Sequence, residues 1–228
     1  MLAHLSRYWK SPISTCPIRI EGWSVGLNPD NFRSSAKTPM TLSASSRVIQ
    51  KQTVTSVPLE TAWQSWTTSE GVTSFFAPQA NIEPKVRGFY ELFFDLKAPR
   101  GFQGTEGCRV LSIQPPRSLA FEFLAPPQFP NVRRVRTRVD VLFEEVLSGG
   151  LVKVSLAHSG FVEGEEWDEC FDFFSWSWDI VLGRFQYRFT VGPVDWSRPY
   201  VPRGVGDRPL RKLRDSGRGV DALPPRRH

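Results

Sequence analysis

The sequence predicts an α+β domain: a curved antiparallel sheet of about six or seven strands wrapped around one long C-terminal helix, with two short helices after the first strand. Three observations predict it. Most of the chain between residues 47 and 160 is built of segments with period-two alternation, separated by Pro- and Gly-bearing turns. Residues 167–189 instead place Trp167, Phe171, Phe174, Trp178, Val181, Phe185 and Phe189 at spacings of three and four, a stripe that only a helix can gather on one side. An antiparallel sheet with one apolar face needs a long apolar cover, and this segment alone is long enough to supply it.

The elements follow in order. "RVIQKQTVTSV" from Arg47 alternates and reads as the first strand. "PLETAWQSWTT" opens at Pro58 and sets Ala62, Trp63 and Trp66 at helical spacing, while "SEGVTSFFAP", from Ser69 to Pro78, reads as a second short helix. Five strand segments come next: "GFYELFFDLKA", "GCRVLSIQ", "SLAFEFLA", "RRVRTRVDVLFEEV" and "LVKVSLAHSG". The turns between them, "PRGFQGTEG", "PPR" and "SGG", carry the residues that break strands. The acidic run "EGEEWDE" then puts Glu163, Glu165, Glu166, Asp168 and Glu169 at the start of the long helix, where negative charge suits the helix dipole.

Charge is unevenly placed. The chain carries a net +6, yet residues 197–228 hold +6, residues 1–46 hold +3, and residues 47–196 hold −3. Basicity therefore belongs to the ends, and the middle lacks the clustered Lys and Arg that phosphate-backbone binding requires. Residues 197–228, rich in Pro, Gly and Arg without apolar period, are expected to form a basic disordered tail. Residues 1–46 are expected to be a disordered or over-extended N-terminal segment, with Met40 as another possible start of translation. The domain proper is expected over 47–196. No apolar run approaches the ~18–20 residues needed to cross a bilayer. The three cysteines, Cys16, Cys108 and Cys170, lack paired spacing and read as reduced thiols. A cytoplasmic protein without metal or cofactor is the expectation.

Nine of the twenty-three residues from Trp167 to Phe189 are aromatic. Together with the large rings on the expected inner sheet face, this excess exceeds what a core of mixed sizes requires and points to the wall of an apolar ligand cavity. The expected lining is Trp63, Phe76, Tyr90, Phe94, Phe121, Phe123, Trp167, Phe171, Phe174 and Trp178. Leu92, Leu96, Leu111, Ile113 and Leu119 should extend the same inward surface. The N-terminal half of the helix should face the hollow and the C-terminal half should pack tightly. His158, the sole histidine within 47–196, is the one candidate polar cavity residue, although a structural role fits it as well. Arg134, Arg136 and Arg138, with Asp140, should share one strand face, as a solvated stripe or an anion-recognising patch. No Gly-rich phosphate loop, nucleophile elbow or catalytic carboxylate pair is present.

Five stretches in order resemble the activator-of-heat-shock-protein-90-ATPase-homologue-like family, within the START-like (SRPBCC) helix-grip superfamily. They are "VPLETAWQSWTTSEGVTSFF", "VRGFYELFF", "EGCRVLSIQPPRSLAFEF", "VDVLFEEVLSGGLVKVSLAHSGF" and "WSWDIVLGRFQYRFTVGPVDW", and they span about residues 47–196. Arg87, Ala157 and Ser177 depart from the Gly, Thr and Gly common in that family. The resemblance implies a helix-grip fold with a hydrophobic cavity and leaves the activity open, because fold does not fix function. Binding of an apolar small molecule or lipid is the leading expectation. A co-chaperone-like or other protein-interaction module is the alternative, and a cyclase- or hydrolase-type enzyme the second.

Overall fold

The computed structural model describes residues 47–147, 150–203 and 205. The expectations for residues 1–46, and for the tail beyond residue 205, lie outside the described residues. Strand β1 (Ile49–Ser56) leads into helices α1 (Leu59–Thr67) and α2 (Ser69–Thr73). Strands β2 (Gln79–Ile82), β3 (Tyr90–Phe93), β4 (Val110–Gln114), β5 (Ser118–Phe123), β6 (Thr137–Leu147) and β7 (Leu151–Ser159) follow, and α3 (Glu165–Thr190) closes the series. The α+β helix-grip arrangement is the one the sequence indicated.

The main sheet is antiparallel with order β1-β7-β6-β5-β4, and β2 pairs with β3 beside it. A bridge between Phe89 and Arg109, and the bond from Tyr90 N–H to Cys108 C=O (2.9 Å), join the two. The period-two pattern does what it should in the centre. Val139, Val141 and Phe143 of β6 and Val152, Val154 and Leu156 of β7 are all buried on the inner face. α3 runs across that face. On its β1 side Lys51 Nζ meets the Asp179 carboxylate at 2.8 Å, and Gln186 Nε2 donates to Val54 C=O at 3.1 Å. Trp66 of α1 fills the far corner between Phe75, Phe143 and Phe185.

Several expected details shift. The strand expected over 88–98 stops at Phe93, because the chain turns back so that Gly104 bridges to Phe93; a Cβ on Gly104 would meet Leu92 O at 1.7 Å. Leu96 therefore lies beyond the strand and is exposed, not inward. Leu111 sits at a bulge, where the β4–β5 register shifts between Val110 and Ser112, and this turns it outward. β2 has no apolar alternation to announce it and was not expected. The cap of α2 is Thr68, whose Oγ1 accepts from Gly71 N–H at 3.0 Å.

The packed chain also runs past residue 196, where the tail was expected to begin. Val194 N–H donates to Ser74 C=O (2.8 Å), Trp196 Nε1 to Thr73 C=O (2.6 Å), and Tyr200 stacks on Tyr187 with ring centres 4.3 Å apart. Pro202 lies over Gly183, where a Cβ would meet its ring at 2.3 Å. These contacts form a strap along α3 that no apolar period betrays.

Arg87 has φ +66°. This is the left-handed region, which costs an L-residue roughly 1–2 kcal/mol. Arg87→Gly is expected to relieve that strain and raise stability by ~0.5–1 kcal/mol after the extra entropy of the unfolded glycine is counted. A denaturant midpoint that falls would show that Arg87 earns its place through its side chain.

Candidate functional site

Three elements meet around one hollow. The middle of α3 contributes Phe173, Phe174, Ser177, Trp178 and Val181, the end of β5 contributes Phe123, and Phe94 and Phe76 follow β3 and α2. The hollow has a volume of about 30 Å³. Rings surround it closely: Phe76 to Trp178 is 5.5 Å, Phe123 to Phe174 is 5.5 Å, and Phe76 to Phe94 is 6.1 Å between centres. It exists because Ser177 is small among large neighbours. The Ser177 hydroxyl donates back to Phe173 C=O at 2.8 Å, so it is not offered to the hollow as a free donor. Phe94 (8%), Phe173 (6%) and Ser177 (8%) keep some exposure, whereas Phe76 (1%) and Trp178 (1%) keep almost none, which identifies the first three as the rim.

Two loops flank that rim and both are pinned. Glu166, in the first turn of α3, accepts from Asn131 N–H (2.8 Å) and Val132 N–H (3.1 Å), and the neighbouring Phe129 ring rests 5.7 Å from Phe173. Arg133 donates to Ala125 C=O and to the carbonyls of Gly101 and Gly104, and pairs with Glu106 at 3.4 Å. Glu106 in turn accepts from the N–H groups of Gly101, Gln103 and Gly104. None of these roles was visible in the sequence, which offered only the charge of the acidic run.

Of the ten residues expected to line a cavity, Phe76, Phe94, Phe123, Phe174 and Trp178 are gathered around the hollow; Phe173, Ser177 and Val181 join them unannounced. Of the other five, Trp63, Tyr90 and Phe121 are core, and Trp167 and Phe171 pack partly buried against it. Trp63 packs edge-on against Phe143 at 5.4 Å. Tyr90 stacks on Phe121 at 3.9 Å, with its hydroxyl donating to Trp66 C=O at 3.0 Å. Trp167 and Phe171 close around Phe161 at the N-terminal end of α3, and Arg47 lies over the Phe171 ring at 4.1 Å. Along α3 the hollow is lined from Phe173 to Val181, and its first turns, at Trp167 and Phe171, meet Phe161 instead.

His158 is fully buried but does not line the hollow. Its Nδ1 accepts from the Trp178 indole N–H at 3.1 Å and its Nε2 donates to Thr137 Oγ1 at 2.8 Å, which in turn donates to Phe123 C=O at 3.1 Å. Both ring nitrogens are engaged, and burial pushes the pKa down to about 3, so the ring is a neutral structural connector. The arginine stripe dissolves as well. Arg134 belongs to a 3-10 turn at 132–134, Arg136 pairs with Glu122 at 2.6 Å, and Arg138 grips Asp140 through two nitrogens. The cause is that β6 starts only at Thr137.

Comparison with known proteins adds the following. A family model described as Activator of Hsp90 ATPase homolog 1-like protein matches residues 56–187. Among solved structures, a Mesorhizobium loti protein is similar at 16% identity with TM-score 0.50, covering 61% of this chain and 94% of that one. The Aha1 dimer of Colwellia psychrerythraea is similar at 15% identity with TM-score 0.49, covering 64% of this chain and 98% of that one. At such identity the Mesorhizobium likeness concerns the fold alone. No individually curated protein matches.

Two outcomes follow from the geometry. Phe185 is enclosed by Trp66, Phe75 and Phe189, so Phe185→Ala should cost ~3–5 kcal/mol. Phe174→Ala, beside the existing hollow, should cost less because fewer contacts are lost; denaturant unfolding compares them. The second concerns pH. A folded pKa near 3 against 6.5 unfolded means that the unfolded chain binds a proton the folded chain refuses. The neutral ring's contribution is complete above pH 6.5 and is lost as pH falls toward 3, at about 1.4 kcal/mol per pH unit. His158→Gln should lack that component of the slope when unfolding is measured from pH 7 to 4.5 (roughly the midrange of the two values).

Proposed function

The chain belongs to the Activator of Hsp90 ATPase homolog 1-like family, and from that premise we propose that it is a binding module that takes a small apolar molecule into the hollow between α3 and the sheet. One observation carries this reading: the hollow is lined by five phenylalanines, a tryptophan and a valine, and by a serine whose hydroxyl is already spent on its own helix. Such a wall recognises shape and apolar surface and supplies no acid, base or nucleophile.

At about 30 Å³ the hollow is far below the ~300–1,000 Å³ of ordinary ligand sites, so occupancy requires the rim rings of Phe94 and Phe173 to swing outward. Those two rings keep more exposure than Phe76, Phe123, Phe174 or Trp178. This reading places the domain in the cytoplasm; Cys108 and Cys170, buried free thiols, are compatible with a reducing compartment. Catalysis is not part of the proposal, since His158 has both nitrogens occupied.

A protein-interaction role has its own support. On the outer sheet face a groove of about 500 Å³ is lined by Gln50, Gln52, Asp140, Leu142, Ser155 and Ala157, among others, and Leu142 (49%), Val146 (49%) and Val54 (42%) are exposed on the strands that form this face. The neutral fluorophore N-phenylnaphthylamine discriminates the two. Ligand binding predicts saturable fluorescence and a rise in melting temperature, both diminished in Ser177→Val, which fills the hollow. Absence of binding in the unsubstituted protein would sink the ligand reading and leave the outer face as the working surface.

A further inference from the structure

Away from the hollow, the C-terminal half of α3 buries a charge that nothing among the described residues balances. Arg184 is fully buried, its Nε donates to Tyr200 C=O at 2.8 Å, and its Nη1 and Nη2 are buried without any hydrogen-bond partner. Arg188, one helical turn further and on the same side, has a buried Nε that is equally unpartnered. Among the described residues neither guanidinium takes part in an ion pair. The strap closes over this place: Trp196 lies 5.3 Å from the Arg184 guanidinium carbon, Tyr200 covers Tyr187, and Pro202 covers Gly183.

From this arrangement we infer that Arg184 and Arg188 form a binding site for a small oxyanion, a phosphate or carboxylate group, held between α3 and the strap. Buried arginines are ordinarily paired, because removing a guanidinium from water without a counter-charge is costly. Burial does lower the Arg184 pKa, to about 10, but that leaves the side chain protonated at neutral pH, so loss of the proton does not remove the problem. The Trp196 ring face offers a cation partial compensation and satisfies no N–H. What remains unsatisfied is the buried Nη1 and Nη2 edge, the pair of parallel donors that matches two oxygens of a carboxylate or phosphate. Arg188 adds a further buried donor. The close seat of Pro202 on Gly183 limits the occupant to a small group. The inference is independent of the apolar-ligand reading, which concerns other residues.

The test uses the full chain, with inorganic phosphate or acetate against chloride at matched ionic strength. The expected result is a saturable rise in melting temperature with either oxyanion and none with chloride. In Arg184→Met the rise disappears, while stability without phosphate is equal to or above that of the unsubstituted protein, since the unbalanced charge is gone. Arg188→Gln should weaken phosphate binding by at least about tenfold, the worth of a charge-assisted bond. If the Met variant does not fold, phosphorus NMR of inorganic phosphate with the unsubstituted protein still decides, through line broadening that chloride does not reverse. No effect of either oxyanion beyond chloride would mean that the guanidiniums find their counter-charge within the chain, and would overturn the proposal. A Met variant that keeps the full rise would do the same.

Discussion

One line of hydrogen bonds holds the helix to the sheet at a single height and rotation. It runs from the Trp178 indole through His158 and Thr137 to the Phe123 carbonyl, and so passes from α3 to β7, β6 and β5 in turn. Every group in it is buried, so a shift of α3 by one residue would strand a donor and an acceptor away from water, at a cost of about 1–3 kcal/mol each. Apolar contacts alone would tolerate such a slip. The relay does not, and it is what sets Phe174, Ser177 and Val181 opposite Phe123 and Phe94.

How much of this was legible depended on whether the signal was local. β1, β6, β7 and α3 announce themselves because their apolar residues recur with the period of the element. β2 is four residues whose strand form comes from pairing with β3, and the strap at Val194–Pro202 holds through single residues placed on particular neighbours. His158 could be recognised as the one polar oddity in the domain, but its partners lie 20 and 21 residues away and no spacing rule connects them. Which rings surround the hollow was only partly readable for a related reason. Sequence reading finds large rings; a hollow is created by a missing volume, here Ser177, and by which rings a fold happens to set beside it. Trp167 and Phe171 continue the helical stripe faultlessly and still meet a filled space, because Phe161 arrives from the preceding loop.

Two single residues, Arg87 and Ser177, shape the backbone and the hollow beyond what any period would show. Arg87 occupies a left-handed backbone position where glycine would sit without strain, and its carbonyl accepts from Arg109 Nη1 at 2.8 Å. Ser177 leaves room at the rim by its small size while keeping its hydroxyl out of the hollow. The space beneath the helix thus depends on one side chain on α3, without touching the sheet.

The contacts of α3 with β1 have a consequence for the solubility of the folded domain. A terminal strand with free N–H and C=O groups is a template on which another chain can add, and proteins blunt such templates with charge or cover. Here Gln186 occupies the Val54 carbonyl and the Lys51–Asp179 pair stands along the same border, so the helix that seals the interior also fences the margin of the sheet. At the opposite margin β2 presents four residues, and the Ser69 hydroxyl already takes the Ile82 N–H. Runaway strand-to-strand growth is thereby discouraged from both sides by side chains whose first task lies elsewhere.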